Sequence, residues 1–456
     1  MTMTTLDLTG IGIGPFNLGL ASLLSSHPEV SAKFLERKPS FRWHEGLILP
    51  GTTLQVPFLA DLVSMADPTH RLSFLNYLAA HDRLYKFYFY ENFLIPRQEY
   101  DDYCRWASQQ LDSCRFGETV SDVQHDVATD TFVTETRSVS GTTRSYRSRN
   151  IAVGIGTSPY LPKWPGLQAN APLFHSAEFA KRKAELMKAR RVTVIGSGQS
   201  AAECVLALFS ELTPQKVAAG ASIRWITRSA GFFPMEYSKL GLEYFTPDYM
   251  REFHKLPRAT RRQTVADQGL LYKGISFSTI GDIFDLLYER SIGGRDPGLS
   301  LSPNCDVTDI QTMGFAGGLK IGLRHNLSGE ESTVEADEIV SATGYRHAWP
   351  QWLDMLKGQI LETCEGGDLI VDADFRARRR DGGAGAIFVQ NAETFQHGVG
   401  APDLGLGAFR NAVIINQLLK REHYRVTARS AFQDFGIPQD HAPSSKISGD
   451  VYARAV

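Results

Sequence analysis

The 456-residue sequence predicts an α/β fold with two parallel-sheet domains and a helical segment. Three observations carry that expectation. A short apolar run enters a glycine turn and an amphipathic helix near the start of the chain, and the same succession returns at residues 191–203. The chain is also 43% apolar and 21% charged, an ordinary globular balance that excludes a disordered protein. At about 100–200 residues per domain, this length suits two to four domains. Forty glycines against 21 prolines make the glycine turns worth locating.

The first unit reads Leu6-Asp7-Leu8-Thr9-Gly10-Ile11, a strand. A turn at Gly12 and Gly14 follows, then Pro15, Phe16, Asn17 and a helix through Leu18, Leu20 and Leu23. The next strand is Ala32–Glu36. Residues 37–116 read as aromatic-rich helices and loops, with six aromatics between Tyr85 and Phe93. Residues 120–155 alternate as β-hairpins do and turn at Ser140-Gly141. A proline-rich linker carries Pro159, Pro162, Pro165 and Pro172, and the second strand–turn–helix unit follows from Arg191 to Glu203. Its next strand, Ser222–Ile226, runs into Thr227-Arg228. Residues 235–292 look helical. Strands return near 318–324, 338–342 and 386–389, and a helix spans about 406–419. The polar end, with Ala442-Pro443-Ser444-Ser445, is expected to be loose.

Both glycine turns stand after a strand and before a helix, where a dinucleotide pyrophosphate is held by free helix N–H groups and the helix dipole. In the first, Gly12 allows the tight turn and Gly14 admits the phosphates, while Asn17 stands where a third glycine is usual. Glu36 ends the following strand, as a ribose-binding carboxylate does. The second turn is Gly196-x-Gly198-x-x-Ala201, with Gln199 and Ser200 inside it. Its strand ends at Arg228 rather than at an acid, which favours a 2′-phosphate and hence NADP(H). Two such Rossmann-like sites in one chain imply FAD receiving hydride from NADPH. The FAD domain is expected at 1–163 and 342–456, and the NADPH domain at 164–341, with a helical substrate segment near 235–292.

A net charge of −2 argues against nucleic-acid and anionic-membrane partners, which need a basic face. No run approaches 18 apolar residues and Asp7 interrupts any signal-like stretch, so a cytoplasmic protein is expected. The five cysteines, Cys104, Cys114, Cys204, Cys305 and Cys364, show no disulfide, zinc or dithiol spacing, and no metal is expected.

Several segments occur together and in order: Gly12-Ile13-Gly14-Pro15-Phe16-Asn17-Leu18, Phe41-Arg42-Trp43-His44, Phe58-Leu59-Ala60-Asp61-Leu62-Val63, Ser73-Phe74-Leu75-Asn76-Tyr77-Leu78, Gly198-Gln199-Ser200-Ala201 and Ala342-Thr343-Gly344-Tyr345. From about residue 6 to 420 the chain resembles the microbial N-hydroxylating flavin monooxygenases that act on lysine, ornithine or aliphatic diamines in hydroxamate siderophore synthesis. The resemblance implies an amine attacking a C4a-hydroperoxyflavin. It places Trp43, His44 and Gln55 by the flavin ring, with His44 and Gln55 as the catalytic candidates. It adds Arg105, Val120 and His397 to the FAD set. NADPH falls to Gly196, Gly198, Gln199, Ser200 and Arg228, and Tyr345 lies in a link between the domains. A homo-oligomer, a tetramer in this family, is implied too. The reacting amine must be neutral although an alkylamine has pKa about 10.4 in water, so an apolar slot that lowers it is expected, with no dedicated base.

The amino-acid hydroxylases carry a lysine in Phe-Leu-Lys-Asp-Leu that pairs with the substrate carboxylate. This chain has Ala60 there. Three further head-group positions, asparagine, asparagine and serine in the ornithine enzymes, align with Leu242, Gly274 and Gly405. A diamine such as putrescine or cadaverine, with O2 as co-substrate, is therefore the expected substrate. Replacement of the lysine by Lys239 or Arg71 would instead keep lysine or ornithine as substrate. Asp61, Glu243 and Asp403 are the candidates to hold the far ammonium. The rival from another class is a flavin-binding sensor without chemistry, which would not need the second turn.

Overall fold

The structure is a computed structural model and describes residues 4–313, 317–427 and 429–437. The polar end at 442–445 lies outside them. In chain order, β1 (Thr5–Ile11) leads through α1 (Pro15–Leu24) to β2 (Ala32–Glu36). A long excursion of loops and helices α2 (Phe74–Ala80), α3 (Leu84–Tyr90) and α4 (Arg97–Gln109) precedes β3 (Cys114–Phe116). The antiparallel strands β4 (Glu118–Asp126), β5 (Thr131–Ser138) and β6 (Thr143–Val153) then return the chain to β1. Two-residue β7 (Ser158–Pro159) leads out.

The second unit holds β8 (Leu173–His175), α5 (Phe179–Leu186), β9 (Arg191–Ile195), α6 (Gln199–Glu211), α7 (Pro214–Ala218) and β10 (Ser222–Ile226). The helical segment comprises α8 (Lys239–Leu242), α9 (Pro247–Lys255), α10 (Arg258–Asp267) and α11 (Phe277–Ser291). After β11 (Leu299–Ser302) come β12 (Cys305–Thr312), β13 (Leu319–His325) and β14 (Glu331–Ala336), an antiparallel sheet of which the sequence showed one strand. The chain closes with β15 (Glu338–Ser341), β16 (Tyr345–Arg346), α12 (Gln351–Gln359), β17 (Ile387–Val389), α13 (Thr394–His397) and α14 (Gly407–Leu419).

The first sheet runs β3-β2-β1-β6-β5-β4, with β17 added beside β6; the second runs β11-β10-β9-β15-β8. Around both glycine turns the pairings are parallel: β1 with β2 and β6, and β9 with β10 and β15. Continuous apolar burial explains this, since a parallel strand is covered on both faces. Val192, Val194 and Ile195 are buried on β9, and Ile387, Phe388 and Val389 on β17. The C-terminal ends of β1 and β9 open onto the turns, where ligands bind in doubly wound sheets. Among the described residues no helix is long and apolar enough to cross a membrane.

Several contacts tie the two units together, two of them through secondary structure. Antiparallel β7 and β16 form a two-stranded link, with Tyr345 opposite Pro159. Arg97 on α4 makes a bidentate pair with Glu203 on α6, at 2.7 Å on both prongs, with both residues buried. Neither partner stands out in the sequence, because the pair is separated by 106 residues.

Candidate active site

At the first turn Gly12 has φ +84°, and a Cβ there would lie 2.5 Å from the Gly154 carbonyl oxygen. Only glycine satisfies both conditions. Gly14 has extended backbone and caps α1, with Pro15 at its first position. A Cβ on Gly14 meets nothing within 4 Å, so the space before the helix N-terminus is open to a ligand. Asn17 is buried, and its amide donates to the carbonyls of Ile11, Gly12 and Ala152. Its amide nitrogen thus locks the turn onto β6, while its amide oxygen is buried without a partner among the described residues. Phe16 is likewise packed, its carbonyl accepting from Asn411 on α14. Glu36 accepts from the backbone N–H groups of Ile13 and Lys38, each at 2.9 Å, which holds its carboxylate at the end of β2.

The other flavin-side candidates divide. Trp43 packs edge-on to His44 and Tyr100, and its backbone N–H donates to Asp101 at 2.7 Å. His44 adopts φ 46° and faces Tyr345 at 6.0 Å between centroids. Desolvation first, then the Arg97 and Lys38 charges, pull its pKa down to about 4, so it is neutral at pH 7. Gln55 presents a buried amide nitrogen without a partner among the described residues. Arg105 is committed to Asp101 (2.5 Å) and Asp102 (3.3 Å) and supports the loop of Trp43 through Asp101. Val120 packs beside β5 at a bulge in β4.

His397 reaches the first turn only at second hand. Its ring stacks on His254 at 4.8 Å and on Phe375 at 4.6 Å, and Arg410 lies between Phe375 and Phe16. Burial, then His254, Arg410 and Arg261, hold the imidazole neutral, well below its ordinary pKa. Both of its ring nitrogens are buried without a partner among the described residues.

At the second turn Gly196 has φ +141°, and a Cβ there would lie 2.3 Å from the Ala342 carbonyl oxygen. Gly198 caps α6 with extended backbone; a Cβ there would find Lys273 O at 3.8 Å, an ordinary contact. The Gln199 amide is bonded to Glu203, Thr279 and the backbone N–H of Ser276, pinning the start of α11. Ser200 lies beside it in the first turn of α6. Arg228 is exposed, and its guanidinium makes no ion pair among the described residues. The Ser197–Ser229 hydroxyl contact at 2.9 Å keeps its loop beside the turn.

Of the substrate candidates, Ala60 is 6% exposed. A Cβ placed on Gly405 would lie 3.8 Å from the Ala60 methyl and 2.9 Å from Asp403 Oδ1, so these three residues share one space. Asp61 accepts from the N–H groups of Val63, Ser64 and Phe74 and from the Ser64 hydroxyl, which saturates it. Glu243 accepts from Phe432 and Gln433 and clamps the C-terminal segment onto the single helical turn Glu243–Phe245. Gly274 is a glycine for another reason than a lost ligand: a Cβ there would lie 2.4 Å from the Met235 nitrogen. Leu242 is 40% exposed on α8. Lys239 is exposed on the same helix, and Arg71 reaches toward Gln110.

One residue escaped the sequence reading. Asn391 lies two residues past β17, in left-handed backbone (φ 58°), with a buried amide oxygen that has no partner. β17 pairs with β6, whose other neighbour is β1, so Asn391 stands at the same end of the sheet as Gly12. A polar pair just after a short apolar strand, Gln390-Asn391, was the available signal. The open space at Gly14 and the orphaned amides of Gln55 and Asn391 fit a flavin dinucleotide. The free Arg228 fits a phosphorylated one.

Comparisons with known proteins agree. Residues 4–347 match the model of the L-lysine 6-monooxygenase/L-ornithine 5-monooxygenase family. The rhizobactin siderophore biosynthesis protein RhbE of Rhizobium meliloti (strain 1021) is 72% identical over 453 residues, covering 99% of this chain and 100% of its own. A putrescine N-hydroxylase of Shewanella oneidensis is 40% identical over 437 residues, covering 95% of this chain and 84% of its own. The FAD-bound crystal structure of DfoA, a cadaverine monooxygenase of Erwinia amylovora, superposes with a TM-score of 0.90 at 35% identity. It covers 96% of this chain and 100% of its own.

Proposed function

The chain belongs to the L-lysine 6-monooxygenase/L-ornithine 5-monooxygenase family, NADPH-dependent flavin enzymes that hydroxylate nitrogen, and we propose that its own substrate is an aliphatic diamine, putrescine or cadaverine, hydroxylated for a siderophore. The observation that carries this reading is the buried methyl of Ala60 beside Gly405, where the amino-acid hydroxylases place a cation. A buried carboxylate without a partner costs several kcal/mol, so an amino acid is disfavoured there, while a diamine escapes the repulsion a lysine would exert. The putrescine and cadaverine enzymes among its relatives point the same way.

When bound, the FAD supplies activated oxygen and the NADPH the reducing equivalents. The chain's residues do the rest. Gly12 and Gly14 make room for the FAD pyrophosphate, Glu36 addresses its ribose, and Gln55 and Asn391 offer free amide atoms. Trp43 and neutral His44 wall the site without adding charge. Gly196 and Gly198 admit the NADPH pyrophosphate, and Arg228 its 2′-phosphate. Asp61, saturated by four donors, is held for the fold and takes no proton from the amine.

NADPH oxidation coupled to hydroxylamine formation, compared across putrescine, cadaverine, ornithine and lysine, tests the proposal. More hydroxylated lysine or ornithine than either diamine would refute it. The expected homo-oligomer, working in the cytoplasm, belongs to the same proposal. Its support is the apolar outer face of α3, where Tyr85 is 80% and Phe89 73% exposed, together with Tyr88 and Phe93 nearby. Patches beyond a few hundred Å² are usually covered by a partner.

A further inference from the structure

Three carboxylates are candidates to hold the far ammonium, and the structure separates them by what each oxygen already holds. Asp61 has four donors on its two oxygens. Glu243 has three on its own, all from Phe432 and Gln433. Asp403 takes a hydrogen bond from the Gly405 N–H on Oδ1 at 2.7 Å, and the Leu406 N–H of the same turn also favours its charge; among the described residues no side chain donates to it and no hydrogen bond reaches Oδ2. The Gly405 bond makes Asp403 the cap of the turn Leu404–Leu406 through Oδ1 and leaves Oδ2 without a side-chain partner.

The surroundings also differ. Asp403 shares its space with the buried Ala60 methyl and the Gly405 backbone, the two positions where head-group ligands are missing. Across from it Tyr237 donates to the Gln55 carbonyl at 3.4 Å, joining this space to the loop that carries the unpartnered Gln55 amide. Partial burial first, and the Asp403 charge second, push the Tyr237 phenol up to about 12, so it stays a neutral donor. Arg410 on α14, fully buried and paired with Glu393 at 2.8 Å, also acts on Asp403 through its charge and favours the ionised carboxylate.

We infer that the free Oδ2 of Asp403 receives the distal ammonium of the diamine, making Asp403 the specificity-determining residue of this site. The inference rests on the diamine reading. A carboxylate replaces, at the far end of the substrate, the lysine that an amino-acid substrate would need, so one site has exchanged the sign of the charge it recognises. A residual role as a turn cap does not compete, since one oxygen serves the cap and the other the substrate.

The test is Asp403→Asn, whose side-chain oxygen still accepts from Gly405 and keeps the cap, with Asp403→Glu as the charge-retaining control. Putrescine and cadaverine are compared with n-butylamine and n-pentylamine, which lack the far ammonium, as substrates or as competitive inhibitors of the diamine. Loss of a charge-assisted contact should raise the diamine KM about tenfold or more and abolish the diamine-over-monoamine preference. Flavin content and NADPH-dependent flavin reduction should stay at wild-type levels, and Asp403→Glu should restore part of the preference. A preference for diamines that survives in Asp403→Asn overturns the assignment while leaving the diamine reading intact. Wild-type enzyme that prefers lysine or ornithine overturns that reading instead.

Discussion

At the first glycine turn the chain's own C-terminal helix packs over α1. Asn411 of α14 donates to the Phe16 carbonyl at 3.0 Å, and the Arg410 guanidinium lies 4.9 Å from the Phe16 ring centroid. At the second turn α6 directs Gln199 and Glu203 sideways, onto Ser276 and Arg97, and Arg228 stands in solvent. The two turns have the same backbone logic and opposite enclosure. A cofactor that stays through turnover needs the first arrangement, and one that enters and leaves needs the second. Polar residues of the same type therefore serve different ends: Asn17 locks its turn to a sheet, whereas Gln199 anchors a neighbouring helix.

Equal steric lesions at the two turns give the strongest test of that contrast. Gly12→Ala should yield protein without bound flavin, seen as loss of the visible flavin absorbance on purification. Gly196→Ala should keep the flavin and lose its reduction by NADPH. Flavin loss in both would show that the turns are not separable.

Next in size is the pair that joins the halves. Replacing Glu203 by Gln strands Arg97 in a buried site and should cost about 3–5 kcal/mol, read as a lowered denaturation midpoint. The Gln199 amide exchanges a carboxylate acceptor for a neutral amide oxygen at the same time, so NADPH-dependent reduction should slow more than flavin binding weakens.

Arg228→Gln removes a charge-assisted contact worth about 1.5–3 kcal/mol and should raise the NADPH KM by about tenfold or more, with little effect on NADH. An equal rise with both coenzymes would remove the 2′-phosphate from the account of the second turn.

The smallest expected effect is on pH. Burial, ahead of all other causes, raises the Asp403 carboxyl to about 6 from an ordinary 3.8. The native state thus holds this proton longer than the unfolded chain does. The stability linked to it is complete below the unfolded value and is lost as pH rises through about 6. A bound ammonium offsets that loss, so the diamine KM should fall as pH rises through about 6 in wild type. It should stay flat there in Asp403→Asn.

Local pattern was enough for the two strand–turn–helix units, since a parallel strand and a phosphate-accepting turn are written in contiguous residues. Ala60 was legible for the same reason: one exchange inside a short motif. The antiparallel sheet β12–β14 was read only in part, because its edge strands alternate weakly and gain their apolar cover from β9 and β10. Asn391 was missed because nothing local marks a residue whose importance is its place at the same end of the sheet as Gly12, more than 370 positions away.

By itself the sequence determined the fold class, the two nucleotide turns and the loss of a cation at residue 60. Tertiary structure alone decided which polar side chains remain free. Asp61, Glu243 and Gln199 looked as available as Asp403 and Arg228 until their partners were in place. The physical reason is that a buried polar group seeks hydrogen bonds wherever the fold offers them, and those partners come from distant parts of the chain.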